Sequence, residues 1–506
     1  TIRSSFTVIV RSARKRMTLE GYIRTTADQG DDRAVQDVMS LYGIPLVKET
    51  TANTLVVGSE LLPDRVVTSL AWQGKTWQET HEIVIFHAQD QAAPGRVVRR
   101  NLALLLEQAV QLPRSSWGIL RGVRPGKIVR RLFDEGYTKA DIAAVFEQEY
   151  LAAPEKAALL LEIALRQRDI LPPETPRSVG VYVGIPFCPS RCLYCSFPSF
   201  VLPPQEKLQI FMQALKADIV SAGHLLRQQL LQMETLYIGG GTPTSLPAKE
   251  LEQLLSWIQE YLGRPKLGEW TVEAGRPDSL NAEKIAVLKG FPISRLSLNP
   301  QSMQEKTLQR IGRKHSVQDI IEMFASLRQN GFSNINMDII LGLPGETPAD
   351  VQHTLREIAK LSPESLTVHT LALKRGSALA EKLLLQEEVP LPDAAAVAEM
   401  IEASKNGARA MGMAPYYLYR QKQMAGQFEN IGYAKEGREC AYNIRVIEER
   451  QSILGIGPHA TSKIVEPDGY RLHNCYHAKQ VDCYIRDIDR YIANREDAFR
   501  RFAGRE

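Results

Sequence analysis

Apolar runs of strand length recur through the middle of the chain, at residues 179–185, 235–238, 270–273, 294–298, 335–341 and 365–370. Segments with helical spacing of apolar positions separate them, at residues 206–230, 249–261, 282–288, 317–329 and 348–359. A strand followed by a covering helix returns parallel to the strand before it, so the series predicts an α/β fold with a parallel sheet and helices outside it. Six units suit an open, partial (β/α)6 barrel better than a closed eight-stranded one. Ligand-binding residues then belong at the carboxyl ends of the strands.

The flanks have other rhythms. Residues 1–90 read as a small α/β unit, with strands at 7–10, 55–57 and 82–86 and a helix at 34–41. Residues 91–175 read as a helical region. Val97, Leu102, Leu104, Leu105 and Val110 space one helix, and two more are expected at 125–135 and 139–151. The region ends in the linker Leu171-Pro-Pro-Glu-Thr-Pro176, where prolines deny both helix and ladder bonds. Residues 176–380 form the barrel. Residues 381–506 are expected as a C-terminal α+β domain, with a helix at 393–411, a strand at 416–420 and a closing helix at 479–494. Between these last two lies the glycine-rich segment Leu454-Gly-Ile-Gly-Pro-His-Ala-Thr461.

Composition narrows the class. Of 506 residues, 44% are hydrophobic and 24% charged, as in an ordinary globular protein. The net charge of +4 is small for this length and does not predict nucleic-acid binding, which needs a concentrated basic face. No apolar run approaches the roughly 20 residues that span a bilayer, and no apolar signal region opens the chain. The expectation is a cytoplasmic protein. Six cysteines in this length make no disulfide framework, but three of them fall within eight residues.

That cluster reads Gly184-Ile-Pro-Phe-Cys188-Pro-Ser-Arg-Cys192-Leu-Tyr-Cys195. A loop with C-x3-C-x2-C spacing can present three thiolates to three corners of an iron–sulfur cube, leaving one iron open. An open position on a metal centre marks reactivity rather than structure. The alternative is a zinc knuckle or three buried thiols. Structural zinc favours paired C-x2-C spacings and a fourth ligand nearby, whereas the next histidine, His224, sits within an expected helix.

Other strand ends carry chemistry too. The second ends in Tyr237-Ile-Gly-Gly-Gly-Thr-Pro243, whose glycines let backbone approach a charged ligand. The third ends at Glu273, a carboxylate able to accept hydroxyl hydrogens. The fourth leads into Gln301, with Arg313 beyond it. The fifth places Asp338 inside an apolar strand, where it needs a partner.

With these residues in place, the chain resembles the radical S-adenosylmethionine superfamily. Within it, the chain resembles the oxygen-independent coproporphyrinogen III oxidases and their heme-chaperone relatives, over about residues 178–465. The resemblance rests on Tyr182-Val-Gly-Ile-Pro-Phe-Cys188, Gly239-Gly-Gly-Thr-Pro243, Arg295-Leu-Ser-Leu298 with Gln301, Asp338 with Gly342-Leu-Pro-Gly345, and Leu454-Gly-Ile-Gly457. It implies a 4Fe–4S cluster on Cys188, Cys192 and Cys195. It also implies S-adenosylmethionine contacts at Tyr182, Tyr194, Gly240, Gly241, Thr242, Glu273, Gln301, Arg313, Asp338, Ala372 and Thr461. The implied reaction begins with reductive cleavage of S-adenosylmethionine to an adenosyl radical, which takes a hydrogen atom from the β-carbon of a propionate. Carbon dioxide and one electron then leave, and a vinyl group remains. Two such events convert coproporphyrinogen III to protoporphyrinogen IX, with an electron donor such as flavodoxin or ferredoxin. The Trp117-Gly-Ile-Leu-Arg-Gly-Val-Arg-Pro125 motif resembles a longer second type of this oxidase.

The match departs at three places. The main oxidase branch usually has histidine at the position of Gly184 and a further cysteine at that of Phe197, which is shared with the chaperones. The chaperones usually show His-Asn where this chain has Tyr442-Asn443. A heme-binding delivery protein, or another radical reaction on a tetrapyrrole, therefore stand as alternatives. Arg121, Arg124, Lys127, Arg130 and Arg131 could meet propionates, but a solvated helix face is the simpler reading. His473, Cys475, His477 and Cys483 match no zinc spacing.

Overall fold

The computed structural model describes residues 19–23, 29–51, 53–88, 90–122, 124–170, 177–197, 199–374, 376–421, 427–466 and 471–502. The strand expected at 7–10 and the proline linker at 171–176 lie outside them. Contacts divide the chain into two compact units, Thr1–Ala164 and Leu165–Glu506.

The first unit holds a four-stranded sheet, β1 (Glu20–Ile23), β2 (Thr54–Leu61), β3 (Arg65–Trp72) and β4 (Lys75–Glu82), in that order. The helices Gln29–Leu41 and Ala93–Val110 share its core, where Val97, Leu102 and Leu105 meet Leu55, Val57 and Leu70. The strand expected at 82–86 is not there. The chain runs strand Lys75–Glu82 instead, because Gln73 and Gly74 both take positive φ and close a two-residue hairpin with β3. Only Trp77 is apolar in the inward pattern of that polar strand, so alternation in the sequence is faint. The helix expected at 139–151 stops at Ala144 and widens into a π-helical turn, Val145–Glu149. Trp117 is fully buried, and a Cβ on Gly118 would collide with the carbonyl oxygen of Tyr150, so this motif has a packing role. Arg121 pairs with Asp37 at 2.5 Å.

The second unit is built on one eleven-stranded sheet. Its centre is six consecutive parallel strands, β5 (Ser178–Ile185), β6 (Gln232–Gly240), β7 (Glu269–Gly275), β8 (Arg295–Leu298), β9 (Ile335–Leu341) and β10 (Ser365–Thr370). They are buried on both faces, as continuous apolar runs in parallel sheets are. The intervening helices are stopped and started by local signals. Ser316 and Thr347 form capping boxes with Asp319 and Asp350, and Asn281 caps the helix Ala282–Lys289. The order is linear and the sheet stays open, in agreement with the expected α/β partial barrel.

Residues after 380 extend this same sheet at both edges. β11 (Ala414–Arg420) and β12 (Glu429–Ala434) run antiparallel beyond β10. β13 (Ser452–Ile456) pairs parallel with β5, followed by β14 (Thr461–Val465) and β15 (Leu472–Tyr476). The glycine-rich Leu454-Gly-Ile456 is thus part of a strand beside β5, the strand that leads into the cysteine loop. The closing helix expected at 479–494 is two helices, Val481–Arg486 and Ile488–Phe502, interrupted at Asp487.

The helix Ala441–Glu448 is held against the barrel strands from their amino ends. The Glu269 carboxylate accepts from the amides of Ala441 at 2.6 Å and Tyr442 at 2.8 Å, capping the helix from another strand. Arg295 donates to the carbonyls of Arg438 and Glu439 just before it. The helix thereby delivers the Tyr442 ring to Tyr182 and Tyr237.

Candidate functional site

The loop after β5 carries the three cysteines and is closed on itself. The Cys188 amide donates to the Phe200 carbonyl at 2.9 Å and the Phe200 amide to Pro186 at 2.8 Å. Leu193 is tied to Ile311, and Cys195 to the Cys192 carbonyl. Cys192 is buried and the other two thiols are half-buried. Burial pushes the Cys188 thiol up to about 11 and raises that of Cys195. A bare loop therefore holds protons that metal binding must release.

The glycine segment after β6 is stitched to this loop. Gly241 donates to Ile185 and Thr242 to Phe187, each at 2.7 Å. A Cβ on Gly241 would lie 2.6 Å from the Phe187 carbonyl oxygen and 3.1 Å from the Cys188 sulfur. Gly240 takes φ +113°, with its Cβ position 2.8 Å from the Ile185 oxygen. No side chain fits here, so the backbone itself forms the wall beside the thiols. The Thr242 hydroxyl lies 3.5 Å from Cys188 Sγ.

Glu273 at the end of β7 accepts the Tyr237 hydroxyl at 2.7 Å. Burial, helped by the Asp338 charge, lifts its carboxyl to about 7 against the lowering bonds from Tyr237 and the Gly240 amide. Tyr237 stacks on Tyr442 at 4.7 Å and on Tyr182 at 6.3 Å. Asp338 accepts from Asn336 at 2.7 Å and faces His369 at 3.6 Å, which in turn meets the Tyr419 hydroxyl at 3.2 Å. Gln301 is joined to Asp338 through backbone at 2.9 Å and takes φ +67°. Arg313 donates to Tyr194 at 3.2 Å; burial opposes its charge, but Tyr194 and Cys192 more than offset this and raise its pKa.

A cavity of about 350 Å³ opens beside the cysteine loop, lined by Tyr182, Gly240, Gly241, Phe197, His459 and Thr461 among others. Four of the eleven residues expected to contact S-adenosylmethionine line it. Tyr194, within the cysteine loop, pairs with Arg313, and Gln301, just past β8, lies beside Asp338 in the middle of β9. Ala372 follows β10, half-buried and outside the cavity lining. The pattern in the sequence did not single out Arg276 or His369, marked Tyr442 only as a departure from the chaperones, and gave His459 no role of its own. Gly184, where a histidine is usual in the main oxidase branch, faces the end of β13. A Cβ there would lie 3.0 Å from the Pro458 oxygen and 3.3 Å from the Tyr182 ring.

The donor set suits an iron–sulfur cube with an amino-acid ligand. Among the described residues no three His, Cys, Asp or Glu side chains converge as ligands of one ion do. The buried Gln301 Oε1 and Arg313 Nε have no hydrogen-bond partner within the protein. A buried polar atom left open in this way is a ready contact for a polar ligand. His473, Cys475, His477 and Cys483 form no metal group; His477 is buried against Asp218 and the Gly457 carbonyl instead.

Comparison with known proteins agrees. The radical SAM superfamily model matches residues 182–358. The oxygen-independent coproporphyrinogen-III oxidase-like protein HemZ of Bacillus subtilis is 39% identical over 379 residues, 74% of this chain and 75% of its own. The heme chaperone HemW of the same organism is 31% identical over 283 residues, 55% of this chain and 70% of its own. The structure of coproporphyrinogen III oxidase HemN from Escherichia coli, a radical SAM enzyme, shares the fold, with a TM-score of 0.50 and 22% identity over 62% of this chain and 70% of its own. Members of the superfamily use a 4Fe–4S cluster and S-adenosylmethionine. No helix among the described residues is long and apolar enough to cross a membrane.

Proposed function

Because this chain belongs to the radical S-adenosylmethionine family that includes HemN-like oxidases and heme chaperones, we propose that it oxidatively decarboxylates two propionates of coproporphyrinogen III to vinyl groups. The observation that carries this reading is the cavity between the cysteine loop and β13, which adjoins Gly240, Gly241 and Tyr182 and opens to the outside past Phe197. The likeness to an oxidase-like relative over three quarters of both chains supports it. Cys188, Cys192 and Cys195 hold the cluster. Gly240, Gly241 and Thr242 present backbone and a hydroxyl to the methionine end of S-adenosylmethionine. Glu273 accepts its ribose hydroxyls, and Gln301, Arg313 and Asp338 supply the remaining polar contacts. When bound, cluster and S-adenosylmethionine supply the one-electron chemistry that removes a hydrogen atom from an unactivated carbon. The protein's own part is orientation and exclusion of water. Tyr182, Tyr237 and Tyr442 stack on one another, and the first and last of them present aromatic surface to the cavity. A flavodoxin- or ferredoxin-type donor supplies the electron, and a one-electron acceptor takes the electron left after carbon dioxide departs.

A second reading is heme delivery. Phe197, 53% exposed at the cavity rim, stands edge-on to His459 at 6.4 Å, and this apolar rim with a histidine suits a heme edge. Two measurements decide between them. Reconstituted protein is incubated anaerobically with coproporphyrinogen III, S-adenosylmethionine and reductant, and the products are analysed by mass spectrometry. Vinyl products support the oxidase. Deoxyadenosine without vinyl product sinks the substrate assignment, and stoichiometric binding in a separate heme titration of the same protein, without turnover, supports the delivery role.

A further inference from the structure

Arg276 follows β7 directly and is 2% exposed, one of the largest fully buried side chains in the protein. Its guanidinium reaches past β6 to the cysteine loop that follows β5. Nη1 donates to the Ser190 carbonyl at 3.1 Å and to the Ser190 hydroxyl at 2.9 Å, and it points at Cys192 Sγ from 3.8 Å. The other edge of the guanidinium makes two bonds to Asp278, at 2.8 and 2.6 Å. Asp278 lies 3.5 Å from the buried His315. The backbone that carries Arg276 is itself pinned. Its carbonyl accepts from Ser279 Oγ at 2.7 Å, and Thr244 holds the preceding Ala274 carbonyl at 2.9 Å.

A buried cation held this firmly, with one nitrogen aimed at a thiol, is more than a brace for the loop. The reduction potential of an iron–sulfur cluster follows the charge and the N–H bonds around its sulfurs. Reduction adds negative charge to the cluster, so a fixed positive group beside a ligating sulfur favours the reduced form.

Resting on the reading of the three cysteines as cluster ligands, we propose that Arg276 is a positioning residue that sets the reduction potential of the cluster through Cys192, with Asp278 as its counter-ion. Asp278 attenuates the cation and fixes its direction. Ser190 lets the same guanidinium set the length of the turn between Cys188 and Cys192. Thr242 plays the matching part for Cys188 from β6, so neighbouring strands grip neighbouring thiols.

The test is an electrochemical titration of the reconstituted full-length protein, followed by electron paramagnetic resonance. It is made on wild type, Arg276→Gln, Arg276→Lys and Asp278→Asn, with iron and sulfide counted in each. Arg276→Gln removes the positive charge and shifts the potential negative. Asp278→Asn removes the counter-ion and shifts it positive. Arg276→Lys keeps the charge and restores most of the wild-type value. A purely structural role gives no such opposite pair. Equal potentials in Arg276→Gln and wild type at equal iron content, or shifts of the same sign in the Gln and Asn variants, overturn the proposal while leaving the cluster reading intact. Should Arg276→Gln not retain iron, the sign of the Asp278→Asn shift decides. Wild-type protein that takes up no cluster overturns the cluster reading, and the role of Arg276 with it.

Discussion

Tyr237 and Glu273 face each other from adjacent parallel strands, and the tyrosine hydroxyl donates to the carboxylate at 2.7 Å. The bond favours the ionised acid, yet burial and the Asp338 charge outweigh it and lift the pKa to about 7. The sign follows. The raised pKa contributes stability that is present below the ordinary value of 4.5 and is lost as pH rises through about 7. A ligand whose hydroxyls need the carboxylate binds with the opposite trend. S-adenosylmethionine affinity should rise as pH passes through about 7 and fall by up to about tenfold per pH unit below it. In Glu273→Gln this slope should vanish. Calorimetric titrations across that range check it, and an unchanged slope in the variant removes Glu273 from the ligand contacts.

Apart from Cys440, which is buried beside Glu269, the cysteines divide into two sets by surroundings. Cys188, Cys192 and Cys195 share one closed loop, whereas Cys475 and Cys483 lie on β15 and on the helix Val481–Arg486. Replacing any of the first three by alanine should abolish most 4Fe–4S absorbance after anaerobic reconstitution. Replacing Cys475 or Cys483 should leave iron content within error of wild type. Full iron retention in Cys192→Ala would contradict the assignment.

Gly241 tests whether the backbone wall matters independently of the thiols. A methyl group there must displace the Phe187 carbonyl, from which it would be 2.6 Å, and crowd the Cys188 sulfur. Gly241→Ala should cost about 1–3 kcal/mol in denaturant unfolding, the usual range for overpacking. It should also lower cluster content despite three intact cysteines. Gly412, at φ +73° with open space around its Cβ position, is the control: Gly412→Ala should lose stability but not iron.

These features were unequally legible in the sequence. β5 is a nearly continuous apolar run, and β9 and β10 are mainly apolar or small and lie beside the helices capped by Ser316 and Thr347, so pattern alone places all three within a residue or so. The cysteine spacing is equally local. Other features were hidden. β4 is polar at every position but Trp77, so its alternation is faint although its partner β3 is next in sequence. The rest have partners distant in sequence. β13 is short and glycine-rich, and becomes a strand by docking on β5 more than 260 positions earlier. Arg276 reads as one arginine in a polar turn, and its meaning comes from Ser190 and Cys192, 86 and 84 positions away. The helix Ala441–Glu448 depends likewise on Glu269 for its start.

The end of β13 rests on a buried ion pair that gives the last prediction. Arg495 and Asp218 are both fully buried and meet at 2.5 Å. The second Asp218 oxygen accepts from Tyr484 at 2.7 Å and from the Gly457 amide at 2.9 Å. Arg495 also donates to the Gly455 carbonyl at 3.0 Å, so the helix Ile488–Phe502 is fastened to β13 and to the helix Gln205–Gln228. Arg495→Met leaves a buried carboxylate without its cation and should cost about 3–5 kcal/mol. The double variant Arg495→Met with Asp218→Leu should recover part of that loss, because no charge is then left unpaired. Burial opposes the Asp218 charge, but Arg495, His477, Gly457 and Tyr484 more than offset it and hold its pKa below the ordinary 3.8. The stability it contributes is therefore present above 3.8 and is lost as pH falls through the lower folded value. Urea unfolding at neutral and acid pH should show the wild-type advantage over the double variant shrinking on acidification. An advantage that stays constant would mean the pair stabilises by packing alone.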